Sequence, residues 1–296
     1  MAASDDHVEY NWYKGMRLAS HLVPEDMDDI QDFVVRDDDV FIITYPKSGT
    51  AWLQRIVSLL HFGGDVSKTD QKEQDELVPY FEQKCGDSAT FRKLPEAPSP
   101  RLLKSHLNFC HAPVQLTQGK GKVIYVARNP KDVAVSYYHF HFMVTTLKNP
   151  TSWEQFVQDF VNGDLSRGAW HDHVLEWWQH KDNPNVLFLR YEDLQKDTRK
   201  EVEKVAEFLG WSVTPEVIDT VVEHSKFKKM ATNPTTNKVD GKEVKGGIFD
   251  SSKGTFFRKG VVGDWKSHFS DEQSQWFDAF YKEKLGPTGL QFDFEG

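Results

Sequence analysis

Cysteine is scarce in this chain, which has two among its 296 residues, Cys85 and Cys110. Two cysteines are too few for a disulfide framework, so the composition favours a reducing compartment and predicts a cytoplasmic protein. Long apolar runs are missing too. Nowhere do about 18 consecutive apolar residues occur, and the N-terminus has no basic start followed by an apolar stretch. The sequence therefore predicts neither a membrane span nor an export signal.

The chain is also short of positive charge, with 36 Lys and Arg against 45 Asp and Glu and a formal net charge of -9. This charge repels nucleic acid and anionic membranes, so neither is expected as a partner. Any site that holds an anion must be a local cluster of cations. The apolar content of 39%, with 9 Trp, 21 Phe and 9 Tyr, is enough for a large core. We expect a single domain over residues 1–296.

Residues 40–45, VFIITY, are the first buried strand that the sequence predicts. The run is almost wholly apolar and rich in β-branched residues, which is typical of strands covered on both faces of a parallel sheet. The acidic residues 1–38 before it indicate an irregular approach to the strand. After Ser48 and Gly49, apolar residues recur at helical spacing from Trp52 to Leu60, so the order is strand, tight loop, helix.

Residues 123–127 (VIYVA) and 186–189 (VLFL) are two more strands of this type, and each precedes a helical pattern. Residues 101–104 are a shorter candidate strand. This alternation predicts an α/β fold with a central parallel sheet flanked by helices and a phosphate-binding loop after the first buried strand. Further amphipathic helices are predicted from near Pro130 and around residues 153–160, 174–178, 202–209 and 276–281.

Residues 235–254 differ from the rest of the chain because they are rich in Gly and Lys and have little apolar periodicity. A loop of this length inside a compact domain is usually a lid or a binding loop if it is not disordered. We predict a mobile lid here, with plain disorder as the alternative.

The segment TYPKSGT at residues 44–50 joins the first strand to its helix and has the chemistry of a phosphate-binding loop. Backbone N–H groups at a helix N-terminus point outward without partners, Gly49 permits close approach, and Lys47 adds a positive charge. The usual loop of nucleotide triphosphatases places its Lys after the second Gly, whereas Lys47 precedes the only Gly here. A small-molecule kinase with a variant loop is therefore a weaker alternative.

Two further groups of polar residues follow buried strands or the long loop. Arg128 comes directly after the second predicted strand, and Ser136 lies in the helix behind it. Arg258, Lys259 and Gly260 follow the long loop. Because ligands bind outside the carboxyl ends of parallel strands, these residues and the TYPKSGT loop can converge. The pattern predicts one cationic pocket for a phosphorylated ligand.

His106 follows the short candidate strand and is the predicted general base, because a histidine can take a proton from an attacking hydroxyl near neutral pH. His171 and His173 are not a metal pair, since residues two apart on a helix do not face the same way and no carboxylate or Cys lies at ligand spacing. His139 and His141 are interpreted as packing or pocket-lining residues. No metal site is predicted.

These motifs match a known family: the chain resembles the cytosolic sulfotransferases from about residue 45 to residue 281. TYPKSGT is similar to that family's 5′-phosphosulfate loop, and RKGVVGDWK at residues 258–266 is similar to its RKGxxGDWK signature for the 3′-phosphate. The resemblance implies direct, in-line transfer of a sulfonate group from PAPS to a hydroxyl or amine of a small apolar acceptor such as a phenol or steroid alcohol. The expected product nucleotide is PAP, and no metal is implied.

The resemblance also assigns roles to individual residues. It implies cofactor binding by Lys47, Ser48, Gly49, Thr50 and Ala51 on the 5′ side, by Arg128, Ser136, Arg258, Lys259 and Gly260 at the 3′-phosphate, and by Trp52, Tyr191, Ser225 and Phe227 at the adenine, with Phe256 and Phe257 alongside. The implied catalytic residues are His106, Lys47, Lys104 and Ser136. The implied acceptor-binding residues are Tyr80, Phe81, Lys104, His106, Phe140 and Phe142.

Many members of that family dimerise through a KxxxTVxxxE segment, and the matching stretch is altered in this chain. Residues 266–275 read KSHFSDEQSQ, with Ser-Asp in place of Thr-Val and Gln275 in place of Glu. An unpaired carboxylate is costly to bury, so we expect a monomer or a weak homodimer, with a dimer through a different surface as the alternative. A sulfotransferase-like nucleotide binder without turnover stays open as an alternative to the enzyme.

Overall fold

The structure, a computed structural model, describes residues 8–85, 88–237 and 248–296. The strands are β1 (Asn11–Tyr13), β2 (Met16–Leu18), β3 (Val40–Thr44), β4 (Lys84–Cys85), β5 (Ser88–Ala89), β6 (Leu102–Ser105), β7 (Lys122–Ala127) and β8 (Val186–Arg190). The helices are α1 (Pro24–Gln31), α2 (Thr50–His61), α3 (Val66–Thr69), α4 (Gln74–Leu77), α5 (Val114–Thr117), α6 (Pro130–Met143), α7 (Trp153–Asn162), α8 (Trp170–Gln179), α9 (Tyr191–Lys196), α10 (Thr198–Leu209), α11 (Pro215–His224), α12 (Phe227–Thr232) and α13 (Asp271–Leu285).

A four-stranded parallel sheet in the order β6-β3-β7-β8 lies at the centre of the fold. The central strand β3 pairs on both sides, so that Ile43 lies opposite Ser105 on one side and Tyr125 on the other. Every residue of β3 is buried, as its continuous apolar run predicts. The predicted α/β class with a parallel sheet is confirmed, and the boundaries of the predicted strands differ from the observed ones by one residue.

Alternate residues of the strands face two separate apolar cores. Phe41 and Ile43 of β3 belong to one core, which contains the apolar faces of α1, α6, α7, α8 and α13. Val40 and Ile42 belong to the other, which contains those of α2, α9, α10 and α11. Each fully buried Val, Ile or Phe side chain contributes about 1.5–3 kcal/mol. The sheet is therefore a rigid support, and the loops at its carboxyl edge are held on both faces.

The N-terminal segment is ordered by its own local signals, and the prediction of an irregular approach is wrong for residues 8–38. Lys14 and Gly15 have φ of 46° and 84° and form the turn between β1 and β2, as a two-residue hairpin requires. Pro24 begins α1, where its missing N–H loses no bond. Met27 and Ile30 of that helix are buried in the core.

The predicted lid at residues 235–254 lies partly outside the described residues, at positions 238–247. The described part before this gap is attached to α12, because the Thr236 hydroxyl donates to the Asn233 carbonyl at 3.2 Å. The described part after it is attached to the end of α6, where the backbone N–H of Thr145 donates to the Ile248 carbonyl at 2.9 Å. A mobile lid stays a prediction.

Helix signals near the site explain where two of the helices begin. Asn129 caps α6, since its side chain accepts the N–H of Asp132. Ser270 and Gln273 form a capping box at the start of α13, and this turn lies within the altered segment at residues 266–275. No described helix has the length and apolar character needed to cross a membrane.

Candidate active site

One cavity of about 890 Å³ lies at the carboxyl edge of the sheet. Each strand of the central sheet is followed by a residue that lines this cavity. Lys47 lies in the loop after β3, His106 follows β6, Arg128 follows β7, and Tyr191 begins the helix after β8. Parallel strands end at the same edge, so residues up to 144 positions apart in the chain meet in one place.

Most of the residues that the sequence singled out line this cavity. They are Lys47, Gly49, Thr50, Ala51, Trp52, Tyr80, Lys104, His106, Arg128, Ser136, Phe140, Tyr191, Ser225, Phe227, Phe256, Phe257, Arg258, Lys259 and Gly260. Ser48 is buried in the phosphate-binding loop and does not line the cavity. The structure therefore brings the separated motifs together.

Phe81 and Phe142 are the two expected acceptor contacts that the structure places elsewhere. Phe81 is 0% exposed and packs edge-on against Phe33 and Phe41 in the core. It follows Tyr80 directly, and neighbouring extended residues point in opposite directions, so only Tyr80 faces the cavity. The ring of Phe142 packs edge-on against that of Tyr138, with the ring centroids 5.2 Å apart. Positions two apart on a helix do not share a face, so Phe142 points away from the side that Phe140 presents.

The loop between β3 and α2 has the geometry of an anion-binding loop. Gly49 caps the helix with φ of 109°, a backbone conformation that favours glycine. A Cβ at this position would come within 2.9 Å of the Tyr191 ring, so the backbone runs close to that side chain. The hydroxyls of Thr44 and Thr50 are hydrogen-bonded at 2.7 Å. The first N–H groups of α2 are left to bind an anion.

Lys47 reaches the cavity from a left-handed backbone conformation, with φ of 70°. Its ammonium lies 4.1 Å from the centre of the Phe140 ring and 4.6 Å from that of Phe256. Aromatic faces attract a cation by about 0.5–2 kcal/mol, more where water is excluded. The two rings therefore help to position the charge of Lys47 in the cavity.

The cations of the RKG segment share one carboxylate. Arg258 and Lys259 both form ion pairs with Asp264. Burial raises the pKa of Asp264, but hydrogen bonds from Lys259 and Arg258 outweigh that effect and hold the pKa below its usual value. Arg128 adds a third cation, which lies 4.4 Å from the Tyr191 ring and donates to the Val261 carbonyl at 2.8 Å. Arg128 also pairs with the buried carboxylate of Asp132 at 3.6 Å. Three cations thus meet two buried carboxylates on this side, which leaves one positive charge for an anion.

Asp132 fixes the GDW turn that carries this segment. Its two carboxylate oxygens accept the backbone N–H of Gly263 at 2.9 Å and that of Trp265 at 3.0 Å. Asp132 is 1% exposed and lies in the first turn of α6. The sequence predicted a helix from near Pro130 but not this role of Asp132, which depends on a partner 131 positions along the chain.

His106 is held so that one ring nitrogen faces away from the backbone. Its Nδ1 lies 2.7 Å from the Thr44 carbonyl oxygen. A carbonyl can only accept, so Nδ1 carries the proton and donates, which leaves the lone pair on Nε2. Burial lowers the pKa of His106 well below its usual value, and the positive charge of Arg167 lowers it further. The imidazole is therefore neutral at pH 7 and able to accept a proton.

Comparison with known proteins identifies the family. A family model described as "Sulfotransferase domain" matches residues 37–289. The mouse relative Sulfotransferase 1A1 is 40% identical over 282 residues, which are 95% of each chain. The human relative Sulfotransferase 1C2 is 41% identical over 267 residues, which are 90% of this chain and 89% of the relative. This chain belongs to the sulfotransferase family.

Solved structures of similar proteins agree with the family of this sulfotransferase. A mouse sulfotransferase, SULT7A1, complexed with PAP, matches with a TM-score of 0.77 and 33% identity over 93% of this chain and 94% of that one. A retinol dehydratase in complex with androsterone and the inactive cofactor PAP matches with a TM-score of 0.85 and 26% identity over 94% of this chain and 89% of that one.

Three charged residues at the site of this sulfotransferase carry no signal in the sequence: Asp75 and Arg167 line the cavity, and Glu82 is buried beside Arg167. Asp75 pairs with Lys104 at 2.5 Å, so the ammonium of Lys104 is held at the cavity wall. Glu82 accepts the backbone N–H of His106 at 2.8 Å. Arg167 forms a buried ion pair with Glu82 at 3.1 Å. A single acidic or basic residue in a sequence usually indicates a solvated side chain, and only the fold brings these charges to the site.

His173 and His141 make hydrogen bonds within the fold of this sulfotransferase. His173 is bonded to the Tyr125 hydroxyl at 2.9 Å, and His141 to the Lys148 carbonyl at 2.8 Å. The part of the chain that the structure describes contains no group of three or more His, Cys, Asp or Glu placed to hold a metal ion.

Proposed function

We propose that this sulfotransferase transfers a sulfonate group from PAPS to a hydroxyl or amine of a small apolar acceptor, with His106 as the general base. The observation that carries the proposal is the meeting of Lys47, Arg128 and Arg258 with His106 in one cavity. Two similar solved structures hold PAP, which supports a nucleotide with phosphates at both the 3′ and 5′ positions. The order of Lys and Gly in the loop disfavours a triphosphate.

The nucleotide would lie along the edge of the sheet. Lys47 and the loop around Gly49 would hold its 5′ side at the N-terminus of α2. Arg128, Arg258 and Lys259 would hold the 3′-phosphate, and Ser136 would add a hydroxyl from the cavity wall. The adenine would be bound by residues of aromatic or small polar character, namely Trp52, Tyr191, Ser225 and Phe227, with Phe256 and Phe257 beside it.

The chemical step is proton removal coupled to group transfer. As the acceptor oxygen attacks sulfur, its proton goes to Nε2 of His106 and the new O–S bond forms. The bond between sulfur and the bridging phosphate oxygen breaks, and PAP leaves with the negative charge, which Lys47 would stabilise. Lys104 would hold the sulfonate oxygens. Positioning and preformed charge provide most of such catalysis, and no covalent enzyme intermediate is needed.

The acceptor would occupy the part of the cavity that is lined by apolar and aromatic side chains. Tyr80 and Phe140 line it, together with Leu147 and Phe249. Pockets of this kind bind apolar ligands and use a few polar groups for orientation. The retinol dehydratase was solved with androsterone, a steroid, and this supports an acceptor of the phenol or steroid alcohol class.

The direct test is a transfer assay with PAPS and a panel of phenols, steroid alcohols and aryl amines. We expect sulfonated product, with equimolar PAP, from at least one member of the panel. PAP release without sulfonated acceptor would indicate hydrolysis and contradict the proposal. PAP binding with no turnover on any acceptor would favour the nucleotide binder without activity.

Ligand-dependent stability tests the nucleotide separately from turnover. PAP at 100 times its dissociation constant is expected to raise the free energy of unfolding by about 2.7 kcal/mol. ATP at the same concentration should stabilise far less, since it has no 3′-phosphate for Arg128 and Arg258. Thermal unfolding with each nucleotide measures the difference. A larger stabilisation by ATP would favour the kinase.

Gly260 offers a test of the 3′ side. Its φ is 67°, and a Cβ would lie 2.1 Å from a carbon of the Phe227 ring. Gly260→Ala should therefore displace Phe227 and weaken its contact with the adenine. Aromatic contacts are worth about 0.5–1.5 kcal/mol, so the Kd for PAP should rise about 2- to 10-fold. Isothermal titration calorimetry gives the Kd.

Gly210→Ala is the matched control for that variant. Gly210 has a similar φ of 73°, but a Cβ there meets nothing within 4 Å. Both variants should lose about 1–2 kcal/mol of stability from left-handed strain, whereas only Gly260→Ala should bind PAP less tightly. Equal PAP affinity in the two variants would contradict the placement of Phe227.

Two further expectations stand beside this proposal. A cytoplasmic location rests on the composition and on the family resemblance. The monomer or weak homodimer rests on Asp271, which is exposed in the first turn of α13. Light scattering after size exclusion, on the chain and on Asp271→Val, measures the mass; a stable dimer that is the same in both would contradict the expectation.

A further inference from the structure

Arg167 is a buried cation beside His106, and the proposed transfer reaction gives it no role. Its side chain is 2% exposed, and the residue lines the cavity. Its backbone has φ of 80°, the left-handed region that a residue with a side chain rarely adopts. Strain of this kind persists only where the surroundings enforce it, and it clusters at functional sites.

Two sets of contacts lead from Arg167 to His106. The guanidinium Nη2 lies 3.1 Å from Oε1 of Glu82, and the same carboxylate oxygen accepts the backbone N–H of His106 at 2.8 Å. Nη2 also donates to the Tyr80 hydroxyl at 2.6 Å. The Tyr80 ring stands edge-on to the His106 ring, with centroids 5.3 Å apart. One guanidinium thus holds both the anchor of the His106 backbone and the ring that packs on its imidazole.

We propose that Arg167 is a positioning residue that, through Glu82 and Tyr80, fixes the backbone and ring of His106 for removal of the acceptor proton. The inference rests on the proposed role of His106 as general base. The Thr44 carbonyl fixes Nδ1 of the ring, and the Arg167 contacts fix the remaining freedom, the height and tilt of the imidazole. Nε2 is thereby directed at the acceptor hydroxyl.

The charge of Arg167 adds a second effect with a definite sign. The groups that face His106 are Lys104, His173 and Tyr80, together with Glu82 and Arg167. Burial is the largest cause of the lowered pKa of His106, and the Arg167 charge is the next. Loss of the guanidinium stabilises the protonated imidazole and raises its pKa. A general base works only when it is neutral. In a variant without the guanidinium, activity would therefore be lost at a higher pH than in the parent as the solution is acidified.

The test compares Arg167→Met with Arg167→Lys. Met retains much of the side-chain volume without charge, whereas Lys restores the charge but not the planar fork. Misplacing a catalytic group by about 1 Å lowers the rate about 100-fold. We expect Arg167→Met to lower kcat about 10- to 100-fold with little change in the Kd for PAP, and to move the acid limb of the kcat/KM profile to higher pH. Arg167→Lys should restore the acid limb and part of kcat.

Arg101→Met is the matched control, because Arg101 forms another buried ion pair, with Asp39, on the opposite end of β6 from His106. It should lose stability as Arg167→Met does, since each leaves a buried carboxylate unpaired. Its folded fraction should retain the kcat and the acid limb of the parent. If Arg167→Met does not fold, the double variant Arg167→Met with Glu82→Gln removes both charges and replaces it in the comparison.

A readout without turnover separates this inference from the proposed function. In the PAP complex with ¹⁵N-labelled histidine, the ring nitrogens of His106 report its tautomer and pKa. Loss of the Nδ1–H tautomer or a raised pKa in Arg167→Met supports the inference even if no acceptor is found. An unchanged His106 spectrum, or a loss of kcat equal to that of Arg101→Met with no shift of the acid limb, overturns it.

Discussion

Replacing His106 with Ala is expected to lower kcat for sulfonate transfer about 100- to 10,000-fold, the usual contribution of a general base. The Thr44 carbonyl binds Nδ1 of His106 and leaves the lone pair on Nε2. Lys104 does not replace the imidazole as a base, because its ammonium is paired with Asp75. His173 does not replace it either, because it is fully buried and its Nδ1 is hydrogen-bonded to the Tyr125 hydroxyl. Initial rates with saturating PAPS and acceptor measure the loss.

His180→Ala is the control for this variant. His180 stacks on Phe109 with ring centroids 3.6 Å apart and does not line the cavity. Both variants should bind PAP with the affinity of the parent, so that a loss confined to His106→Ala identifies the proton acceptor. A His106→Ala enzyme with more than about a tenth of the parent rate would exclude His106 from that role.

Lys47→Ala is expected to lower kcat about 100- to 1000-fold, which is the effect of losing one preformed charge stabiliser. The ammonium lies against the rings of Phe140 and Phe256 in the cavity. In the proposed reaction, charge builds up on the bridging oxygen of PAPS as its bond to sulfur breaks, and Lys47 is the cation of the loop between β3 and α2. The effect on kcat should therefore exceed the effect on the Kd for PAP.

Lys181 provides the matched control, since its ammonium also lies near an aromatic ring, 5.0 Å from that of Trp178, and pairs with Asp182. Lys181→Ala removes a lysine of the same kind away from the cavity and should leave kcat unchanged. Single-turnover rates with preformed PAPS complex separate chemistry from product release. If Lys47→Ala weakens the binding of PAPS by the same factor as it lowers the rate of transfer, Lys47 acts in binding alone.

The central sheet shows which structural features local sequence patterns can predict. A strand covered on both faces must be apolar at every position, so residues 40–45 already indicated a parallel sheet, and β3 is buried throughout. The N-terminal segment shows the converse error. Its acidic composition led to the prediction of an irregular segment. The sequence nevertheless contains the Lys14–Gly15 turn and the helical spacing of Met27 and Ile30, and the structure has a hairpin and a helix at these positions.

Cavity lining was predicted less well for the residues expected to bind the acceptor than for those expected to bind the nucleotide. The residues of the phosphate loop are adjacent in the chain, and so are those of the RKG segment. The chemistry of each segment can therefore be recognised from the sequence alone. Tyr80 and Phe81 are neighbours in an extended segment, so only one of them can face the cavity. The sequence does not show which one, and in the structure Phe81 points into the core. Phe140 and Phe142 were separated in the same way by the turn of α6.

The amino-acid order was sufficient to specify an α/β fold and a family, because buried strands and anion-binding loops are each made of residues adjacent in the chain. The tertiary structure alone decided how His106 is held. Arg167 lies 87 positions from Tyr80, and its guanidinium reaches Tyr80 and Glu82 only after α8 and β6 pack around one core. Contacts between such distant residues depend on packing of whole layers, for which no short segment carries a pattern.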